Sequence, residues 1–171
     1  MTRPGPRWLS DAEQRAWRAY LAANRLLSAQ LEKGFQQHGL SSSDYEVLVW
    51  LSEAPGQRLR MWELAKASVL EKSRLSHQIT RMERAGLVRR ETCQGDRRGQ
   101  FAVLTDYGWE TIQRVAPHHV DQVRRNFIDR LDSDQVQTLT EIFAPMADDL
   151  RQACPSDAEF KAASEAVTDP E

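Results

Sequence analysis

The stretch from Arg60 to Gly108 constrains the fold more than any other part of the chain, because its punctuation admits one order of elements. Met61 to Ala67 are good helix formers with Leu64 and Ala65 as their apolar pair, and Ser68 breaks the run. A second helix is predicted from Lys72 or Ser73. Its apolar positions Leu75, Ile79, Met82 and Leu87 follow at intervals of four, three and five, so one face is buried up to about Ala85. Gly86 supplies the left-handed residue that ends such a helix. Leu87 to Cys93 and Gln100 to Leu104 read as strands, and the connector Gln94 to Gly99 holds two glycines suited to a hairpin tip.

The chemistry of these elements points outward. The second helix carries Lys72, Ser73, Arg74, Ser76, His77, Gln78, Arg81 and Arg84 on its polar face, with nothing acidic between Lys72 and Met82. The net charge of the whole chain is −2, but it is unevenly spread. From Lys66 to Gln100 nine Lys and Arg stand against four acids, a local +5, while Asp129 to Glu171 holds eleven acids against three bases, a local −8. Affinity for phosphate follows the local field, so the basic stretch implies a nucleic-acid partner and the acidic end faces away from it. A helix fits the major groove, and an Arg-bearing hairpin fits the narrow minor groove.

Individual expectations follow. Arg74 and Gln78 lie four apart on one face, and both make bidentate base contacts, Arg to guanine and Gln to adenine. Ser73, His77 and Arg81 complete the major-groove set. Lys72, Ser76 and Arg97 are expected on the DNA backbone, which positions without reading sequence. Arg98 is the expected minor-groove reader, and Asp96 pairs with an Arg to hold the tip in shape.

Two local patterns identify a family. Asp96, Arg98, Leu104, Thr105 and Gly108 form one, and Met82, Gly86, Leu87 and Val88 the other. On these residues the segment resembles the winged helix-turn-helix of MarR-family transcriptional regulators, over roughly residues 11–153. Arg74 stands where many relatives carry a small Thr, so their operator preference does not transfer. The resemblance implies a mainly α fold with a small two- or three-stranded antiparallel β-wing. A winged helix-turn-helix at 41–108 is flanked by dimerisation helices at 8–40 and 109–154, with a frayed tail at 155–171. It further implies a homodimeric repressor on a pseudo-palindromic double-stranded operator, and a cytoplasmic location is the default expectation from composition. Release by a small aromatic or phenolic effector, in a pocket between the dimer helices and the winged domain, is also implied. Trp17, Tyr20, His38 and Trp50 lie on segments able to line such a pocket.

The flanking segments read as long helices. One is predicted from an Asp11 cap through Trp17, Tyr20, Leu21, Leu27, Leu31 and Phe35 to Gly39, and a second from Ser42 or Ser43 to the Ala54-Pro55-Gly56 break. After the hairpin, Thr105 and Asp106 cap a helix in which Pro117 is expected to kink. The last helix starts at Asp132 or Ser133, with Gln135 completing a capping box, and carries Val136, Leu139, Phe143, Met146 and Leu150 at intervals of three and four, bent at Pro145. With Trp8 and Leu9, this is more apolar surface than a terminal helix needs for one domain, and an intermolecular helical interface accounts for it.

Other functions find less support. A composition of 40% hydrophobic and 28% charged residues is that of a globular domain, without an apolar run or hydrophobic leader that would suggest a membrane. Cys93 and Cys154 form no metal-binding motif. His118 and His119 are adjacent, so on a helix they point about 100° apart, and no metal or cofactor site is expected. No nucleophile elbow, P-loop or paired-carboxylate motif suggests an enzyme. Two alternatives remain, a redox-sensing regulator using Cys93 and a winged-helix protein-interaction adaptor.

Overall fold

The computed structural model describes residues 6–93 and 96–152, without the side chains of residues 93–98 and 152. The tail expected at 155–171 and the thiol of Cys93 therefore lie outside the described residues. In chain order the elements are α1 (Asp11–Gln36), α2 (Ser42–Glu53), β1 (Arg58–Arg60), α3 (Met61–Ala67), α4 (Lys72–Arg84), β2 (Val88–Cys93), β3 (Asp96–Leu104), α5 (Asp106–Asn126) and α6 (Ser133–Gln152).

Caps fix the helix boundaries. The N-cap of α1 is Ser10 rather than Asp11: its hydroxyl accepts from the Glu13 amide, and the Glu13 carboxylate accepts from the Ser10 amide at 2.7 Å. Asp11 then sits in the first turn, where a negative charge meets the positive end of the helix. Ser41 and Asp44 repeat the reciprocal box at α2. Asp132 and Gln135 do so before α6, at 3.0 and 2.8 Å. Pro117 and Pro145 lie inside α5 and α6, and neither divides its helix.

The sheet is an antiparallel wing as expected, with one strand that the sequence does not locate and one that starts earlier than expected. It has three antiparallel strands in the order β1-β3-β2. The extra strand β1 pairs Arg58, Leu59 and Arg60 with Val103, Ala102 and Phe101; three residues, two of them Arg, leave no hydrophobic alternation to detect. Strand β3 begins at Asp96 instead of Gln100, pairing Asp96 with Cys93. Asp96, Arg97 and Arg98 thus belong to the strand rather than to the connector, because the ladder is made by backbone groups and is indifferent to charged side chains.

The core lies where α2, α3, α4, the sheet and the first half of α5 meet. Leu48, Leu51, Leu64, Leu75, Ile79, Met82 and Val115 are essentially inaccessible there, each burial contributing roughly 1.5–3 kcal/mol. The first half of α1 and most of α6 lie outside this core. Their ends touch through rings, with Tyr20 5.8 Å from Phe143 and Trp17 5.8 Å from Tyr20, yet Trp17, Leu26, Met146 and Leu150 stay exposed.

The turn between α3 and α4 holds a strained residue. Val69 follows the C-cap Ser68 with φ of +51°, a left-handed position that a β-branched side chain seldom takes. The Val69 amide reaches the Lys66 carbonyl and the Leu70 amide reaches that of Ala65 at 3.0 Å, which fixes this conformation. Val69→Gly is expected to stabilise the fold by about 1 kcal/mol through relief of that strain. A thermal melt with an unchanged or lower midpoint would count against this.

Candidate nucleic-acid interface and ligand cleft

Helix α4 buries Leu75, Ile79 and Met82 and turns Lys72, Ser73, Arg74, Ser76, His77, Arg81 and Arg84 to the surface. Gly86, at φ +74°, closes the helix: its amide reaches the Glu83 carbonyl at 2.9 Å and the Leu87 amide reaches that of Met82 at 3.0 Å. Arg74 and Arg84 make no ion pair among the described residues, so the exposed face keeps cationic groups at both ends.

Gln78 is the exception among the expected base readers. It is only 8% exposed, and its amide nitrogen points to the Asp44 carboxylate at 3.4 Å. Three residues after Leu75 and four before Met82, it shares their inward face. Arg81 donates to the same Asp44 oxygen at 2.5 Å, while its own side chain stays 61% exposed. Asp44 thereby ties the first turn of α2 to the middle of α4. Burial opposes the ionisation of Asp44, but hydrogen bonds from the Ser41 hydroxyl, Arg81 and the Ser41 amide outweigh it and hold the carboxyl below its ordinary value.

Arg90, counted above as part of the basic stretch, has a different task. From β2 its guanidinium reaches Glu83 at 2.6 Å, the Ser76 carbonyl at 2.9 Å and Thr80 at 3.1 Å, and its amide donates to Glu83 at 2.9 Å. It staples the recognition-type helix to the sheet. Arg89 is paired with Glu91. Of the nine cationic residues in the stretch, Arg81, Arg89 and Arg90 are thus partly neutralised by Asp44, Glu91 and Glu83.

The hairpin is seated by Thr105, which caps α5. Its hydroxyl accepts from the Gly108 amide at 3.0 Å and lies 2.7 Å from the Gly86 carbonyl as donor, so the end of α4, the start of β2 and the start of α5 meet at one point. The side chains of Asp96, Arg97 and Arg98 lie outside the described residues.

Helix-turn-helix, three-stranded wing and long flanking helices can be compared with known proteins. A MarR family model matches residues 40–99, from just before α2 into β3. AbsC, a MarR family transcriptional regulator from Streptomyces coelicolor, superposes with a TM-score of 0.84 at 58% identity, covering 86% of this chain and 99% of AbsC. The chain belongs to the MarR family. It is a transcriptional regulator with the family's winged-helix DNA-binding fold. A second family member from Streptomyces coelicolor, Sco3205, was solved in complex with DNA; it matches with a TM-score of 0.83 at 47% identity, over 86% of this chain and 93% of Sco3205. HosA from Escherichia coli is 30% identical over 126 residues, 68% of this chain and 91% of HosA. PecS from Dickeya dadantii is 33% identical over 101 residues, and the match spans only 60% of its length.

This MarR-family chain also has a cleft of about 370 Å³ between α1, α2 and α5. Of the four residues on segments able to line such a pocket, Trp50 does. Trp17 and Tyr20 are instead in the outer stack with Phe143, and His38 lies against His118 at 5.1 Å. His119 reaches the cleft from α5 between Phe35 at 5.0 Å and Tyr45 at 4.9 Å. Its position four residues after Val115 places it on the buried face of that helix. Among the described residues no group of three or more His, Cys, Asp or Glu is arranged to hold a metal ion, and no helix is long and apolar enough to cross a membrane.

Proposed function

We propose that the chain binds a specific double-stranded DNA operator as a homodimer and represses transcription from it. The observation that carries this reading is the exposed cationic face of α4, braced from behind by Asp44 and Arg90, in a fold shared with a relative solved on DNA. Ser73, Arg74, His77 and Arg81 are the proposed major-groove set. Gln78 is withdrawn from it, because its amide already points to Asp44. Arg81 enters with its guanidinium preoriented, and Lys72 and Ser76 hold phosphates. Arg98 reads the minor groove, Arg97 meets the backbone and Asp96 steadies the tip. Arg74→Ala and Arg98→Ala are each expected to weaken operator binding by about 1–3 kcal/mol. Equal affinity of both variants and the parent protein in an operator titration would remove these roles.

The dimer reading assigns residues 8–40 and 109–154 to the interface around the 41–108 DNA-binding unit. Trp17, Leu26, Met146 and Leu150 leave α1 and α6 with more exposed apolar surface than a free helix end requires. A two-fold pair would present two copies of α4 about 34 Å apart, one helical turn of DNA. Phe143→Glu, placing a charge in this surface, is expected to convert the dimer to monomer in light scattering and to cost more than tenfold in operator affinity. A dimer of unchanged mass would contradict it.

An effector bound in the α1–α2–α5 cleft would act by population shift. Ser42 and Tyr45 line the cleft while Asp44, between them, holds α4, so a ligand that displaces the first turn of α2 also displaces the reading helix.

A further inference from the structure

The wall of the cleft carries information about the charge of what it binds. Phe35, Tyr45 and Trp50 present aromatic surface, and about 370 Å³ suits one ring with a short substituent. Glu46 lines the cleft from the exposed side of α2, and among the described residues no Lys or Arg lines it. Two further carboxylates act on the same wall. Glu32 accepts from the amide of the lining residue Ser42 at 2.9 Å, and the negative charge of Glu53 adds to the burial that raises the Tyr45 hydroxyl above its ordinary pKa. His119 supplies no countercharge, since burial holds its imidazole below the ordinary value and leaves it neutral near pH 7. Its Nδ1 is buried without a hydrogen-bond partner among the described residues.

We propose that Glu46 makes this cleft select positively charged aromatic amines and reject aromatic carboxylates. The proposal rests on the reading of the cleft as the effector site. An anion would enter beside Glu46 with no cation to meet it, whereas an ammonium would gain both that carboxylate and the faces of the aromatic wall. Because Glu46 is exposed, the attraction is screened, and one unit of ligand charge changes affinity by only about fivefold. Exchanging an ammonium for a carboxylate changes the charge twice, an expected ratio of roughly 25-fold.

The test titrates the full chain with tyramine, para-ethylphenol and para-hydroxyphenylacetate, which share a phenol ring and differ in the charge of the side group. Calorimetry on the parent and on Glu46→Gln, an exposed and conservative change, gives the affinities. The expected order is tyramine, then para-ethylphenol, then the carboxylate, with steps of about fivefold. Glu46→Gln should shrink each step from about fivefold to about twofold, the remainder coming from Glu32, Glu53 and the aromatic faces, and should change para-ethylphenol least. Carboxylate binding as tight as that of tyramine, or an order untouched by Glu46→Gln, overturns the charge selection while leaving a ligand site. If none of the three binds at millimolar concentration, the effector reading and the charge selection both fall, and operator binding is judged separately by DNA titration.

Discussion

Gly108→Ala is expected to cost about 3 kcal/mol of stability and to lower the thermal midpoint by roughly 10 °C in a chain of this size. A Cβ at Gly108 would stand 2.1 Å from the Leu87 carbonyl oxygen, 3.1 Å from its carbon and 2.8 Å from a Leu104 methyl. The Leu87 carbonyl cannot rotate away, because it accepts from the Thr105 amide at 3.2 Å where the sheet joins α5. The added methyl must therefore lift the start of α5 from the junction of α4 and β2, breaking the Thr105 cap with it. Gly34 provides an internal control. The atoms nearest a Cβ there are the amide end of Gln122, the closest at 2.2 Å, on a flexible side chain that can swing aside. Melts at one fixed protein concentration should find Gly108→Ala far below the parent and Gly34→Ala within a few degrees of it. A Gly108→Ala midpoint equal to that of Gly34→Ala would show that the junction yields, contrary to this account.

Removal of the Asp44 charge should have the next largest effect. Asp44→Asn is expected to lose about 2 kcal/mol at neutral pH, because the carboxylate, only 10% exposed, serves the Ser41 hydroxyl and amide, Gln78 and Arg81 together. Arg81 is largely solvated, so its Coulombic share is discounted and the Ser41 bonds carry most of the effect. The sign with pH follows from the lowered carboxyl. Its stabilisation is complete above the unfolded-state pKa of about 4 and disappears as pH falls from there through the lower folded value. Denaturant titrations of parent and variant should thus differ most at neutral pH and converge in acid. A gap that stays constant from neutral pH to about 3 would assign the loss to shape rather than to charge.

Much of this architecture was legible before any coordinates. Reciprocal boxes such as Asp132 with Gln135 combine a polar cap with an apolar period, and both signals point to the same boundary. Gly86 marks the end of α4 because only a left-handed residue closes it there. β1 was illegible because its three residues belong to a strand only through β3, a partner more than 40 positions away. The candidate site was less legible than the fold for a related reason. Gln78, His119 and Arg90 are polar residues on buried faces, and polarity alone assigns them outward. Spacing contained the correction: Gln78 is in step with Leu75 and Met82, His119 with Val115, and Arg90 with Val88 two residues earlier on the strand. Their partners, Asp44, Phe35 and Glu83, come from other elements and needed the fold to be found. Cleft charge has the same character, since Glu32 of α1 reaches Ser42 of α2 only once the two helices are packed.

The central claim, that the exposed face of α4 reads a DNA sequence, is tested most directly by fluorescence anisotropy on duplexes from upstream of the chain's own gene, at two salt concentrations, with Arg74→Ala alongside. The account predicts tight, sequence-selective binding that weakens steeply with salt and drops about tenfold or more in Arg74→Ala. Weak binding that ignores sequence and is untouched by the substitution would contradict it and bring forward a protein partner for the winged helix.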